Sequence, residues 1–247
     1  MNLKIFITLF LLHFFKKGIL AQEVVNIVLV GTNGVTEDIK EATSFVAVKT
    51  YPGNTFERLD YKMGGPLIKL RTYNDSNLSI LDGSYIEYDE KGNIFLTGTY
   101  SDNKKNGDWL YYNDTGKVML TRVFEHDSLI KTVEPDTIQK KNLAKYPDER
   151  EAIFKAGNAD WSMYLSHALQ PDIGNKSKKG GKVKVQFVVD TTGKTTHIYL
   201  RKSAEFVLDE EGLRVIRNSP LWQPAFQNGR KVKAYRTQPF TFMIMED

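Results

Sequence analysis

Apolar and polar residues alternate along much of this chain. In Lys182–Asp190, Val183, Val185, Phe187 and Val189 fall on one face, with Lys184 and Gln186 on the other. That period of two predicts a strand with one buried face. Thr191-Thr-Gly193 supplies a turn, and Lys194–Lys202 continues as a second strand with Ile198 and Leu200 apolar. The period then changes. Leu208, Gly212, Leu213 and Ile216 form a helical stripe able to cover the sheet, and Asn218-Ser219-Pro220 stops it. The glycine in that stripe costs ~1 kcal/mol of helix propensity. Val232–Ile244 alternates again as a last strand containing Pro239. A proline cannot donate to a ladder, so this strand has a free edge or a bulge near Pro239. Upstream, Trp161, Tyr164, Leu165, Ala168 and Leu169 predict a helix from Ala159 that Pro171 ends, followed by a flexible basic loop at Gly174–Gly181.

The middle of the chain repeats. The run Gly83-Ser-Tyr85-Ile-Glu-Tyr88 through Gly92 to Tyr100 aligns without a gap on Gly107-Asp-Trp109-Leu-Tyr-Tyr112 through Gly116 to Phe124, a period of 24 residues. A weaker copy spans Asp60 to Tyr73. Each unit predicts a β-hairpin turning at Asp89–Gly92 or Asn113–Gly116, where glycine accepts positive φ and the Asp or Asn side chain bonds back to the backbone. One hairpin cannot bury its own aromatics, so neighbours stack into a meander. Tyr85, Tyr88, Trp109 and Tyr112 are either its packing rungs or an exposed aromatic ladder for a ligand. Before the repeats, Val24–Val30 reads as a strand, Thr36–Ala42 as a short helix, and Phe45–Tyr51 as the strand that opens the meander.

The N-terminus has Lys4, an eleven-residue apolar run at Ile5–Phe15, and Ala21 before Gln22. Eleven helical residues rise roughly 16 Å against ~30 Å of hydrocarbon, which predicts a signal peptide cleaved after Ala21 and export of the rest. The rival is an uncleaved inner-membrane anchor. Glu134–Arg150 is polar, with two prolines, and reads as a linker. The domains expected are a signal peptide at 1–21, a β-rich repeat region at 22–133, the linker at 134–150 and a C-terminal domain at 151–247.

Charge supports that division. The chain is +4 overall; residues 150–247 hold 16 Lys/Arg against 10 Asp/Glu, and residues 22–149 hold 15 against 20. The C-terminal excess suits an acidic peptide or surface and is too scattered for nucleic acid. The absence of cysteine removes disulfides and thiolate metal sites.

Catalytic patterns are missing. There is no Gly-x-Ser-x-Gly and no His-Glu-x-x-His, and Gly180-Gly181 precedes a strand instead of following one. His13, His126, His167 and His197 are spread out, with no second ligand at metal spacing. His126-Asp127 reads as a solvated loop pair and His197 as a partly exposed strand residue. Asp209-Glu210-Glu211 opens a helix, where acids favour the positive end of the dipole. The expectation is a non-enzyme with no cofactor and no metal.

Residues 154–244 carry a combination more specific than any of its parts: a helix ending in Gln170-Pro171, the hairpin V-x-F-x-V-D-x-x-G, L-R-V-I, Pro220-Leu-Trp222-Gln-Pro224, Asn228-Gly229 and a final P-F-x-F. This resembles the C-terminal domain of TonB-type energy transducers, and the repeats resemble the MORN-like hairpins of many exported proteins. The fold class implied is α+β: a mainly β meander, then a small ββαβ domain with a three-stranded antiparallel sheet. The resemblance also implies a partner, the TonB-box peptide of a TonB-dependent outer-membrane transporter, added as a strand to the final strand. The residues implied are Gln170, Pro171, Lys231, Val232, Lys233, Ala234, Tyr235, Arg236, Thr237 and Gln238. Lys231, Lys233 and Arg236 also read as charges that blunt an edge. An uncleaved anchor would add inner-membrane motor proteins as partners, and His13 would lie within it. In the rival binding reading the protein is an envelope scaffold whose repeats hold the main ligand and whose C-terminal domain makes a homodimer.

Overall fold

The computed structural model describes residues 24–134, 149–154, 157–177 and 179–244. The expected signal peptide and nearly all of the expected linker lie outside them. The described residues fall into two compact units: those up to Glu90 with Phe95–Glu134, and Lys91–Ile94 with those beyond Glu134. Among the described residues no helix is long and apolar enough to cross a membrane.

The first unit is a ten-stranded sheet. Its strands are β1 (Val24–Gly31), β2 (Gly34–Val35), β3 (Ala42–Tyr51), β4 (Thr55–Lys62), β5 (Leu67–Tyr73), β6 (Leu81–Tyr88), β7 (Ile94–Ser101), β8 (Lys104–Tyr112), β9 (Val118–Glu125) and β10 (Ser128–Val133). They run β10-β9-β8-β7-β6-β5-β4-β3-β1-β2, so the meander follows sequence order until β1 slips between β2 and β3. The helix expected at Thr36–Ala42 is absent. There Thr36 Oγ1 takes the N–H of Asp38 and Asp38 Oδ1 takes that of Lys40, so local side-chain bonds close turns in place of a helix.

The 24-residue period is visible in the bonding. Asn103 accepts the Leu81 N–H at Oδ1 and donates its own N–H to the Leu81 carbonyl, both at 2.8 Å. Asp127 repeats this with Lys105, at 2.8 and 2.9 Å. Asp102-Asn103 and His126-Asp127 are two-residue turns with φ positive at every position, the geometry that matches strand twist. His126-Asp127 is therefore a solvated hairpin turn. Within the hairpins, Asn113 Oδ1 accepts the N–H groups of Thr115 and Lys117.

The aromatics are packing rungs. Trp109 is 1% exposed, and Tyr88 and Tyr112 are buried. Tyr85, Tyr100 and Phe124 surround the indole with ring centroids 5.2–6.1 Å away. The indole lies flat over Gly98, where a Cβ would stand 2.3 Å from it, so only glycine fits.

The second unit contains β11 (Ile153–Phe154), α1 (Asn158–Ala168), β12 (Gly181–Val189), β13 (Thr195–Lys202), α2 (Phe206–Arg217), β14 (Trp222–Gln223), β15 (Ala225–Gln227), β16 (Arg230–Val232) and β17 (Ala234–Phe242). β13, β12 and β17 form a three-stranded antiparallel sheet in that order, with α2 between β13 and β17 in the chain. This is the expected ββαβ core. Two small pairs are added, β11 with β14 and β15 with β16. The buried face of β12, from Val183 to Val189, packs under Leu208, Val215 and Ile216 of α2. Gly212 lies closest to the sheet. A Cβ there would meet Val183, Val185 and Phe240 at 3.2–3.4 Å, so the helix gives up propensity for a close approach.

The last strand is shorter than the alternation predicts. Asn228 and Gly229 both have positive φ and fold β16 back onto β15, pairing Val232 with Ala225. Lys231 and Val232 thus belong to that hairpin, and the sheet strand begins at Ala234. In the expected basic loop a 3-10 turn spans Gly174–Lys176, and Ser177 Oγ takes the N–H groups of Lys179 and Gly180.

Candidate binding edge

β17 pairs with β12 along its whole length, from Ala234↔Val189 to Phe242↔Gly181. Among the described residues its other side has no neighbour, so β17 is a sheet edge. Ala234, Arg236, Gln238, Phe240 and Phe242 turn inward, while Tyr235, Thr237, Pro239 and Thr241 are exposed. Pro239 sits in the ladder opposite Lys184. A proline is accommodated there with its nitrogen toward the free side. The two-residue period then sends the N–H groups of Tyr235, Thr237 and Thr241 to the same side. An extended segment meets three outward donors there, interrupted once by proline. Tyr235 is 74% exposed beside them.

The inward side chains fasten this edge to the rest of the unit. Trp161 Nε1 on α1 donates to Gln238 Oε1 at 2.7 Å, and Gln238 Nε2 donates to the Pro239 carbonyl. Arg236 donates to Glu151 Oε2 at 2.7 Å and to the Ala152 carbonyl. It is a strut tying the 151–152 segment to β17, so of the three expected edge charges only Lys231 and Lys233 stand exposed. Phe154, Trp161, Tyr164, Phe187 and Trp222 form one aromatic cluster with centroids 4.9–5.5 Å apart. Trp222 is buried in this cluster against Phe187 of β12. Tyr164 donates its hydroxyl to the Val215 carbonyl on α2, and burial pushes its phenol pKa up.

Gln170 and Pro171 occupy a separate anchor. The Gln170 N–H donates to Glu211 Oε1 at 2.7 Å, and Arg214 bonds both Glu211 oxygens and the Ala168 carbonyl. The Glu211 bond and ion pair raise the Arg214 pKa still further. Glu211 therefore serves as a clamp on the end of α1, a role beyond the helix-dipole one its position suggested. Asp209 is buried and accepts from Ser203 Oγ and the Ala204 N–H, tying the segment ahead of α2 to its first turn. The loop after Pro171 reaches the C-terminal end of β17, where a Cβ on Gly174 or Gly180 would strike the carbonyls of Met243 or Phe242 at 2.5 Å. His197 sits exposed at a bulge in β13. Among the described residues no His, Asp or Glu cluster could hold a metal.

The bonds from Trp161 and Glu211 had no signal in the sequence. Each joins residues 77 or 41 positions apart, with no local pattern connecting them.

Residues 170–244 match the family model of the Gram-negative bacterial TonB protein C-terminal. The matched stretch takes in the three-stranded sheet, α2 and the β17 edge; α1 and the ten-stranded sheet lie outside it. No curated protein matches the chain, and no solved structure does.

Proposed function

We propose that this protein is a periplasmic, TonB-like docking protein that binds the N-terminal box of a TonB-dependent outer-membrane transporter by β-strand addition to β17. The observation that carries this reading is the geometry of the edge. β17 has one paired side, and Pro239 sets the phase that turns the Tyr235, Thr237 and Thr241 donors outward. Backbone pairing supplies affinity in this mode, and alternate side chains supply specificity. The match of residues 170–244 to a TonB C-terminal family supports the partner class.

The aromatics that a repeat-borne ligand would stack on are packed into the first sheet, which makes the β17 edge the better-supported site. Export through a leader cleaved after Ala21 fits the short apolar run at Ile5–Phe15. The chain acts by binding and not by catalysis. Capture of detergent-solubilised TonB-dependent transporters on the immobilised protein tests the reading. Capture that disappears when a transporter loses its N-terminal box supports it. Equal capture with and without the box contradicts it.

A further inference from the structure

We propose that the first unit forms a two-fold dimer by antiparallel pairing of β1 with β1 of a second copy, centred on Asn26. β2 covers only Val30 and Gly31 of β1, and the Thr36 N–H takes the Leu29 carbonyl. Among the described residues Val24–Val28 pair with β3 alone. Among the described residues, β1 differs in kind from the edges β17 and β10. β17 carries Pro239, with Lys233 just before it. β10 carries Lys131 and a bulge at Ile130. Those devices discourage indiscriminate self-pairing of an edge. Val24–Val28, reading Val-Val-Asn-Ile-Val, has no charge, no proline and no glycine.

Both faces of β1 are apolar. Ile27 lies opposite Ala47 on one face, and Val28 lies opposite Val46 on the other. Such a continuous apolar run belongs to a strand covered on both faces. Here it ends a sheet, with Ile27 45% exposed. A partner strand must be uncharged and apolar on both faces, and β1 of a second copy is such a strand. A two-fold axis delivers it antiparallel, as the alternation of the sheet requires.

Asn26 sets the register. Full overlap of the five free residues brings Val24 against Val28 of the second copy, Val25 against Ile27, and Asn26 against Asn26. Each amide then finds a donor and an acceptor in its mate. Any other register sets the half-buried amide against an apolar side chain and leaves it unsatisfied.

The chain contains no cysteine, so single cysteines report cleanly. The test uses the exported protein purified from the cell envelope. Wild type should sediment as a dimer. Asn26→Cys should form a disulfide-linked dimer on mild oxidation, because directly opposed strand residues lie ~4.5–5.5 Å apart at Cα. Ile130→Cys, at the guarded β10 edge, should not. Ile27→Lys should weaken the dimer about tenfold or more while leaving the circular dichroism spectrum unchanged. A wild type that stays monomeric up to roughly 1 mM overturns the proposal. So does an Asn26→Cys cross-link no stronger than that of Ile130→Cys. A monomer whose Val25 and Ile27 amides, which face away from β3, are protected from exchange also overturns it, because residues preceding Val24 would then be the occupant.

Discussion

Trp161 donates its indole N–H to the side-chain carbonyl of Gln238 at 2.7 Å, joining α1 to the edge strand β17 across 77 residues of sequence. The indole also stacks on Tyr164 and touches Phe154 and Trp222. One side chain therefore holds the helix on the aromatic cluster and fixes the face of β17 that lies beneath it.

Removing only the hydrogen bond should have a modest cost. Trp161→Phe keeps a ring in the cluster and leaves the half-buried Gln238 amide without its donor. The expected loss is about 1 kcal/mol, rising to roughly 3–5 kcal/mol for Trp161→Ala, which also opens a cavity. Urea unfolding of the three proteins, followed by tryptophan fluorescence and circular dichroism, measures both steps.

Gly212→Ala separates two effects of opposite sign. Helix propensity alone favours alanine by ~1 kcal/mol. The added Cβ would press on Val183, Val185 and Phe240 at 3.2–3.4 Å, and all three are buried. Overpacking of this kind costs about 1–3 kcal/mol, so a net loss near 1 kcal/mol is expected. A shift of the urea midpoint to higher concentration would show that the sheet yields to the helix.

Acid should loosen the β12–β13 turn. Asp190 accepts the Thr192 hydroxyl and the N–H groups of Thr192 and Lys194, and these bonds hold its carboxyl below the ordinary 3.8. A depressed folded-state pKa means that the stabilisation is complete above the unfolded value. It is lost as pH falls below 3.8 and through the lower folded value. Asp190→Asn should flatten that part of the acid-unfolding curve. The turn also rests on Trp222, whose N–H donates to the Gly193 carbonyl. Amide exchange at Trp222 should therefore accelerate over the same pH range.

Much of this fold was legible because it is written in local periods. The alternation at 182–189, the stripe Leu208–Ile216 and the 24-residue repeat each depend on neighbours a few residues apart. The helix expected at Thr36–Ala42 misread a segment whose Thr and Asp side chains bond their own backbone. The final strand was drawn too long because alternation runs unbroken from Val232, which pairs with Ala225, into the sheet strand at Ala234. At the candidate site the edge itself was readable from Pro239. Arg236 was not, because an exposed charge and a strut look alike until Glu151 and Ala152 are seen against it. The attachment of Gln170 to Glu211 was equally invisible.

The central claim is strand addition at β17, and paired proline substitutions test it most directly. The Tyr235 N–H points to the free side, and the Ala234 N–H points toward Val189 of β12. Tyr235→Pro should leave the sheet intact and abolish binding of a synthetic peptide carrying the N-terminal box of a TonB-dependent transporter. Ala234→Pro should instead remove a ladder bond and destabilise the fold. Lys233→Ala should change affinity little. The measurement is calorimetric titration of that peptide into wild-type and Tyr235→Pro protein, with circular dichroism as the folding control. Loss of binding by a folded Tyr235→Pro protein is the predicted result; binding as tight as wild type by the folded variant would contradict the account.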